Sequence, residues 1–193
     1  MLAAMTQALA RTFVGLVVIG CGGRGGDGAS PGLDGAAGAP LAVTSTAFVE
    51  GGAIPITHTC KDVNTSPPLA WTGAPSGTLS FAVVLTDLSL TPHLVHWAIF
   101  DIPAAATGLP ANVEKVYAPS NVPGAHQVSF HSQTQGYQGP CPPSQHTYEF
   151  AASALDVATL PGATMQTTPD EVAQAIEMHR LGGGTLTGTY TPP

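Results

Sequence analysis

Ser80-Phe81-Ala82-Val83-Val84-Leu85-Thr86-Asp87-Leu88-Ser89-Leu90-Thr91-Pro92-His93-Leu94-Val95-His96-Trp97-Ala98-Ile99-Phe100 decides the fold class. Its two ends, residues 80–85 and 95–100, are short and nearly continuous apolar runs. Such runs read as strands covered on both faces, and strands of that kind sit centrally in a sheet. Two polar residues break the pattern. Asp87 stands two residues past the end of the first run, and His96 stands among apolar neighbours in the second.

Working outward, residues 41–48 alternate loosely, are rich in Val and Thr, and read as a strand before the turn Glu50-Gly51-Gly52. In residues 147–155, Tyr148, Phe150, Ala152 and Ala154 share one face of a strand, while Glu149, Ala151, Ser153 and Leu155 take the other. Residues 185–190 read as a closing strand. One helix is expected from Thr168-Pro169-Asp170-Glu171, which combines a hydroxyl N-cap, a proline at the first helical position and a capping-box glutamate. Val172, Ala175, Ile176 and His179 make one face of that helix, and Gly182 to Gly184 are expected to end it. Composition agrees with a mainly β chain: only 9% of residues are charged, whereas Gly and Pro number 23 and 18. With 193 residues, one domain plus attachments is the natural division.

The attachments lie at the N-terminal end. Arg11 precedes the apolar run Thr12-Phe13-Val14-Gly15-Leu16-Val17-Val18-Ile19-Gly20, and Cys21 follows at once. A run of this length is too short to cross a bilayer, which takes about 20 residues, but it suits the apolar region of a signal peptide. A membrane helix beginning near Leu2 would carry Arg11 at its middle, at a cost of about 2.5 to 3.5 kcal/mol. The junction Val18-Ile19-Gly20-Cys21 resembles a bacterial lipobox, which makes residues 1–21 a lipoprotein signal peptide and Cys21 the lipid anchor. The implied location is the cell envelope, and Gly22 after the anchor favours the outer membrane. Residues 22–40, rich in Gly and Ala with little to bury, are expected to act as a flexible tether. The domain is then residues 41–193.

The formal net charge is -7, and the five basic residues, Arg11, Arg24, Lys61, Lys115 and Arg180, form no stripe that could neutralise a phosphate backbone, which argues against a nucleic-acid partner. Beside the anchor, Cys60 and Cys141 remain, an even count in an oxidising compartment. They are either a disulfide closing a loop of about 80 residues or two separate small buried residues; sequence leaves both open. No Gly-x-Ser-x-Gly elbow, phosphate-binding Gly-x-x-x-x-Gly-Lys-Ser/Thr loop, His-Glu-x-x-His helix or paired Cys-x-x-Cys occurs. His93 and His96, three apart on an expected strand, project to opposite faces. His58, His126 and His131 read as loop or strand-end residues, and His179 as a packed or surface residue. The expectation is a protein without metal, cofactor or catalytic template.

Three segments have chemistry odd for plain structure: Cys60-Lys61-Asp62-Val63-Asn64-Thr65-Ser66-Pro67-Pro68-Leu69-Ala70-Trp71, the pair Leu85-Thr86-Asp87 and Val95-His96-Trp97, and Gly136-Tyr137-Gln138-Gly139-Pro140-Cys141-Pro142-Pro143-Ser144-Gln145-His146-Thr147-Tyr148. In this order, with Ile54-Pro55, Thr59-Cys60, Asp101-Ile102-Pro103, Ala154-Leu155-Asp156 and Leu186-Thr187-Gly188-Thr189-Tyr190, they resemble the phosphatidylethanolamine-binding protein family, in its bacterial Raf kinase inhibitor-like branch. The resemblance runs through nearly the whole domain and implies a β-sandwich of antiparallel sheets with a few short helices. It also implies a small pocket for phosphate or a phospholipid head group, at Asp87, His96, Gly139, Cys141, Pro143, His146 and Tyr148. A protonated imidazole, a phenol and loop N–H groups are suitable anion donors. Asp87 repels an anion, so its expected work is to orient His96 or His146 and raise that histidine's pKa. The chain departs from the family in having Asp87-Leu88-Ser89-Leu90-Thr91 for the usual Asp-Pro-Asp-Ala-Pro, Leu94 for a common Trp, and Thr147 for a basic or polar residue. The expected partner is a phosphorylated small molecule or lipid head group, bound without turnover. The alternative is a protein-interaction or inhibitor module using an apolar rim of Leu88, Leu90 and Leu94.

Overall fold

The computed structural model describes residues 40–130 and 135–193. The expected signal peptide, the anchor Cys21, the tether up to residue 39, and His131 lie outside the described residues.

In chain order the strands are β1 (Ala42–Thr44), β2 (Gly52–Ala53), β3 (Leu69–Thr72), β4 (Ser80–Asp87), β5 (Leu94–Pro103), β6 (Gly108–Leu109), β7 (His126–Ser129), β8 (His146–Leu155) and β9 (Arg180–Tyr190); the helix α1 (Pro169–Met178) falls between β8 and β9. The protein is mainly β. A large sheet runs β2-β9-β8-β4-β5-β7 and a small one β1-β3-β6. The pairings are antiparallel except the two-residue contact of β2 with β9, which is parallel.

The two apolar runs become β4 and β5, which pair along their length, and β8 closes on the other side of β4. Covering on both faces is visible in the cores. One face of the large sheet, with Phe81, Val83, Leu85, Trp97, Ile99 and Phe150, packs with Val43, Leu69 and Trp71 of the small sheet. The other face, with Ala82, Val84, Ala98, Phe100 and Leu155, packs with Val172 and Ile176 of α1. Each large side chain so enclosed contributes about 1.5 to 3 kcal/mol relative to exposure. The alternation read in residues 147–155 takes the same form: Tyr148, Phe150, Ala152 and Ala154 all join the core shared with the small sheet.

The helix starts as its sequence requires. Thr168 is the N-cap, its side chain accepts from the Glu171 N–H, and Glu171 reaches back to the Thr168 N–H at 2.8 Å. Its end differs from expectation. The helix stops at Met178 with His179 as C-cap, and Gly182 to Gly184 belong to β9. Their smallness serves close approach: a Cβ on Gly184 would collide with the Leu41 carbonyl, and one on Gly183 with the Ala152 carbonyl and the Arg180 guanidinium. The first strand is also shorter than the residues 41–48 expected, because only Ala42–Thr44 finds a partner in β3.

Candidate functional site

The site is built where the ends of β4, β5 and β8 meet the loop that precedes β8. Residues of β4 and β8 pair one to one, which sets Asp87 opposite Tyr148. The pairing of β4 with β5 slips: Leu85 is opposite Trp97, yet Thr86 is opposite Val95, so His96 is an extra residue in a β-bulge. The bulge reverses the alternation of β5. Val95 joins the helix-side core with Ala98 and Phe100, and the His96 ring turns to Tyr148, with centroids 5.5 Å apart and planes perpendicular. A bulge thus aims the imidazole into the same cluster as Asp87.

The carboxylate and one histidine are coupled. Asp87 is buried, and its Oδ2 accepts from His146 Nδ1 at 2.7 Å. Its other oxygen, Oδ1, accepts the Ser89 N–H at 2.9 Å. His96 is held differently, its Nδ1 donating to the Gln138 carbonyl at 3.2 Å. Of the two partners expected for Asp87, the structure therefore gives His146. Because a carbonyl and a carboxylate only accept, both rings carry their proton on Nδ1, and Nε2 becomes a donor only in the imidazolium. The His146 ring stacks at 6.3 Å on Tyr148, and the His96 ring lies 5.0 Å from Phe130.

Tyr148 is fully buried, and its hydroxyl faces the Asp87 carboxylate and the Cys141 backbone without closing a well-formed hydrogen bond to either. Burial first, and then the Asp87 charge, push its pKa well above the ordinary phenol value. The loop before β8 is fixed from behind, and its Gly139 N–H is taken up there. Gly139 N–H donates to Asn64 Oδ1 at 2.9 Å, and a Cβ on Gly139 would strike the His58 carbonyl. Cys60 N–H donates to the Pro140 carbonyl at 3.0 Å, and Tyr137 Oη donates to the His58 carbonyl at 2.9 Å. Cys60 and Cys141 form a disulfide with Cα atoms 5.4 Å apart. Gly139 is thus buried within the loop, while Cys141 and Pro143 stand exposed on it.

The replaced rim is tied down by its own bonds. Leu88 N–H donates to the Thr147 carbonyl at 2.9 Å, and Thr147 N–H donates to Ser89 Oγ at 2.9 Å. Leu88 and Ser89, which stand for the usual first Pro and second Asp, thus clamp the start of β8. A cavity of about 560 Å³ adjoins the cluster at Phe130, lined also by Leu94, Val128, Gln135 and residues 165–170. Among the described residues no group of three His, Cys, Asp or Glu is placed to hold a metal.

The order of these segments has a counterpart in known proteins: residues 44–191 match the family model described as phosphatidylethanolamine-binding protein. The chain belongs to the phosphatidylethanolamine-binding protein family. A UPF0098 protein of Methanothermobacter thermautotrophicus is 40% identical over 149 residues, covering 75% of this chain and 94% of the relative. A Mycobacterium tuberculosis protein, LppC, whose name describes it as a lipoprotein, is 35% identical over 211 residues, covering 96% of this chain and 99% of its own. Among solved structures, Escherichia coli YbcL matches with a TM-score of 0.70 and 28% identity, over 80% of this chain and 100% of that one. A Chlamydia trachomatis homologue of phosphatidylethanolamine-binding protein matches with a TM-score of 0.67 and 26% identity, over 80% of this chain and 99% of that one.

Within this member of the family, sequence reasoning missed three contributors to the cluster. Phe130 lies beside His96, the Gln138 carbonyl fixes the His96 tautomer, and Ser89 links Asp87 to the start of β8. None is a titratable or metal-ligating residue, so no chemical signal in the sequence marks them.

Proposed function

We propose that this protein is an envelope-anchored binding protein that captures a phosphorylated small molecule or phospholipid head group and does not turn it over. The observation that carries the reading is the convergence of Tyr148, His96 and His146, three donor side chains on one cluster, with Asp87 as orienting acceptor for His146. Each imidazole offers an Nε2–H only when protonated, and an anion stabilises that state. The Tyr148 hydroxyl, buried beside the Asp87 carboxylate, is a donor that a bound anion can draw on. Attachment at Cys21 is supported by the apolar run before it and by the likeness to LppC over 96% of the chain.

Calorimetric titration with inorganic phosphate and phosphoethanolamine, from about pH 5.5 to about pH 8, tests the reading. Saturable binding that weakens as pH rises and vanishes in His96→Ala is the expected result. Absence of binding by both compounds at every pH would refute it. A protein-facing rim is the second reading, favoured by the exposure of Leu90 and Phe130 beside the cluster. Capture of a partner that survives the double variant Tyr148→Phe/His96→Ala would favour it over ligand capture.

A further inference from the structure

Tyr190 lies outside the set of ligand residues that the family resemblance supplies, yet the register of the sheet brings it to the same place. It is the last residue of β9 and pairs with His146, the first residue of β8. Directly opposed residues in an antiparallel pair project to the same face, with Cβ atoms about 4.5 to 5.5 Å apart. Tyr148 is two residues further along β8 and therefore on that face too, and Asp87 is its cross-strand neighbour in β4. Tyr190, His146, Tyr148 and Asp87 thus form one row across three adjacent strands, at one end of the large sheet.

Tyr190 is 5% exposed, and its hydroxyl is buried without a hydrogen-bond partner. Tyr190 also lies close enough to Tyr148 to raise its pKa, which agrees with the row read from the register. A buried phenol without a partner is unusual in a folded protein, where nearly all buried polar groups are paired. The contrast within the chain is direct: Tyr137, equally buried, donates to the His58 carbonyl. A hydroxyl kept in a core without a partner needs a reason that phenylalanine would not supply.

We infer that Tyr190 is a ligand-contacting residue of this site, its hydroxyl donating to the same phosphoryl group that Tyr148 meets. The inference rests on the proposed anion-binding role and extends it to a second phenol. A phosphoryl group has enough acceptor oxygens for both hydroxyls and for the imidazolium N–H groups together. Tyr190 also borders a cavity of about 290 Å³ with Ala53, Ile54, Ile56, Thr189, Thr191 and Pro193. Those residues carry no cationic side chain, so an anion gains more on the His146 side of the row.

The test compares the full protein with its Tyr190→Phe variant in two measurements. The first is calorimetric affinity for inorganic phosphate and, separately, for glycerophosphoethanolamine, which distinguish free phosphate from a lipid head group as the source of the bound group. The second is thermal stability without ligand. The expected result is an affinity about 10- to 100-fold weaker for whichever compound the parent binds, the worth of a hydrogen bond to a charged group. The ligand-free melting temperature should not fall, because the lost hydroxyl had no partner. Unchanged affinity in Tyr190→Phe, with binding intact in the parent, would overturn the role of Tyr190 and leave the anion site standing. A lower melting temperature at unchanged affinity would do the same by assigning the hydroxyl a structural role. Should the parent bind neither compound, the anion-binding role falls and this inference falls with it.

Discussion

Removal of the Cys60–Cys141 bridge separates what holds the fold from what shapes the site. The bridge joins residues 81 apart in sequence, and the chain-entropy relation for a loop of that length gives about 4.5 kcal/mol of stabilisation, all of it acting on the unfolded chain. For a domain of this size about 1 kcal/mol moves the melting temperature by roughly 2 to 4 °C, so the double variant Cys60→Ser/Cys141→Ser should melt about 9 to 18 °C lower. The folded loop keeps three other ties: Gly139 N–H to Asn64, Cys60 N–H to the Pro140 carbonyl, and Tyr137 Oη to the His58 carbonyl. Anion affinity well below the new melting temperature should therefore change by less than about threefold, a shift worth under about 1 kcal/mol. Urea denaturation of both forms, followed by phosphate titration at a temperature where both are folded, measures the two quantities. A loss of stability under about 1 kcal/mol would refute the entropic account. A loss of affinity above about tenfold would show that the bridge, and not the three hydrogen bonds, sets the loop's folded geometry.

Four further outcomes follow from particular contacts. Asp87→Asn removes the charge that orients His146, so phosphate affinity should fall by about tenfold, read by calorimetry beside the parent. Burial raises the pKa of both Tyr137 and Tyr148 above the ordinary phenol value. Above about pH 10 the unfolded chain therefore releases protons that the folded chain keeps, so stability falls as pH rises. A tyrosinate absorbance titration should show these two phenols ionising only as the circular dichroism signal is lost. Thr168→Ala removes the side-chain acceptor of the capping box and should cost about 1 kcal/mol in denaturant melts. Gly184→Ala drives a methyl into the Leu41 carbonyl and should cost about 1 to 3 kcal/mol, with loss of amide protection in β1 by hydrogen exchange.

Burial on both faces writes itself into sequence as a continuous apolar run, which is why β4 and β5 were readable from the order of residues. The helix start was readable for another local reason, since Thr168 and Glu171 bond only to each other's neighbourhood. Features set by distant partners were not readable. β2 and β6 have two residues each, too few for any periodicity, and exist only because β9 and β3 lie beside them. Gly182 to Gly184 misled for a related reason: a glycine after a helix signals a left-handed turn, but here its missing side chain lets β9 approach Leu41 and Ala152. The two signals are identical in sequence and differ only in what packs nearby.

The same limit governs the site. Residue types in the conspicuous segments, and their likeness to a family, brought Asp87, His96, His146 and Tyr148 into view, but not which histidine Asp87 holds. That choice depends on a one-residue slip. Had β5 continued the alternation set by Trp97, His96 would face α1 and Val95 would face Tyr148. The bulge between Leu85 and Thr86 exchanges them, and the Gln138 carbonyl then engages His96 Nδ1 and leaves Asp87 to His146. This bulge arises from pairing and no glycine marks it in residues 94–97, so the decisive geometry of this cluster was fixed by the partner strand. Tyr190 stayed hidden for the same reason: a tyrosine at the end of a closing strand has no assigned face until its register with His146 is known.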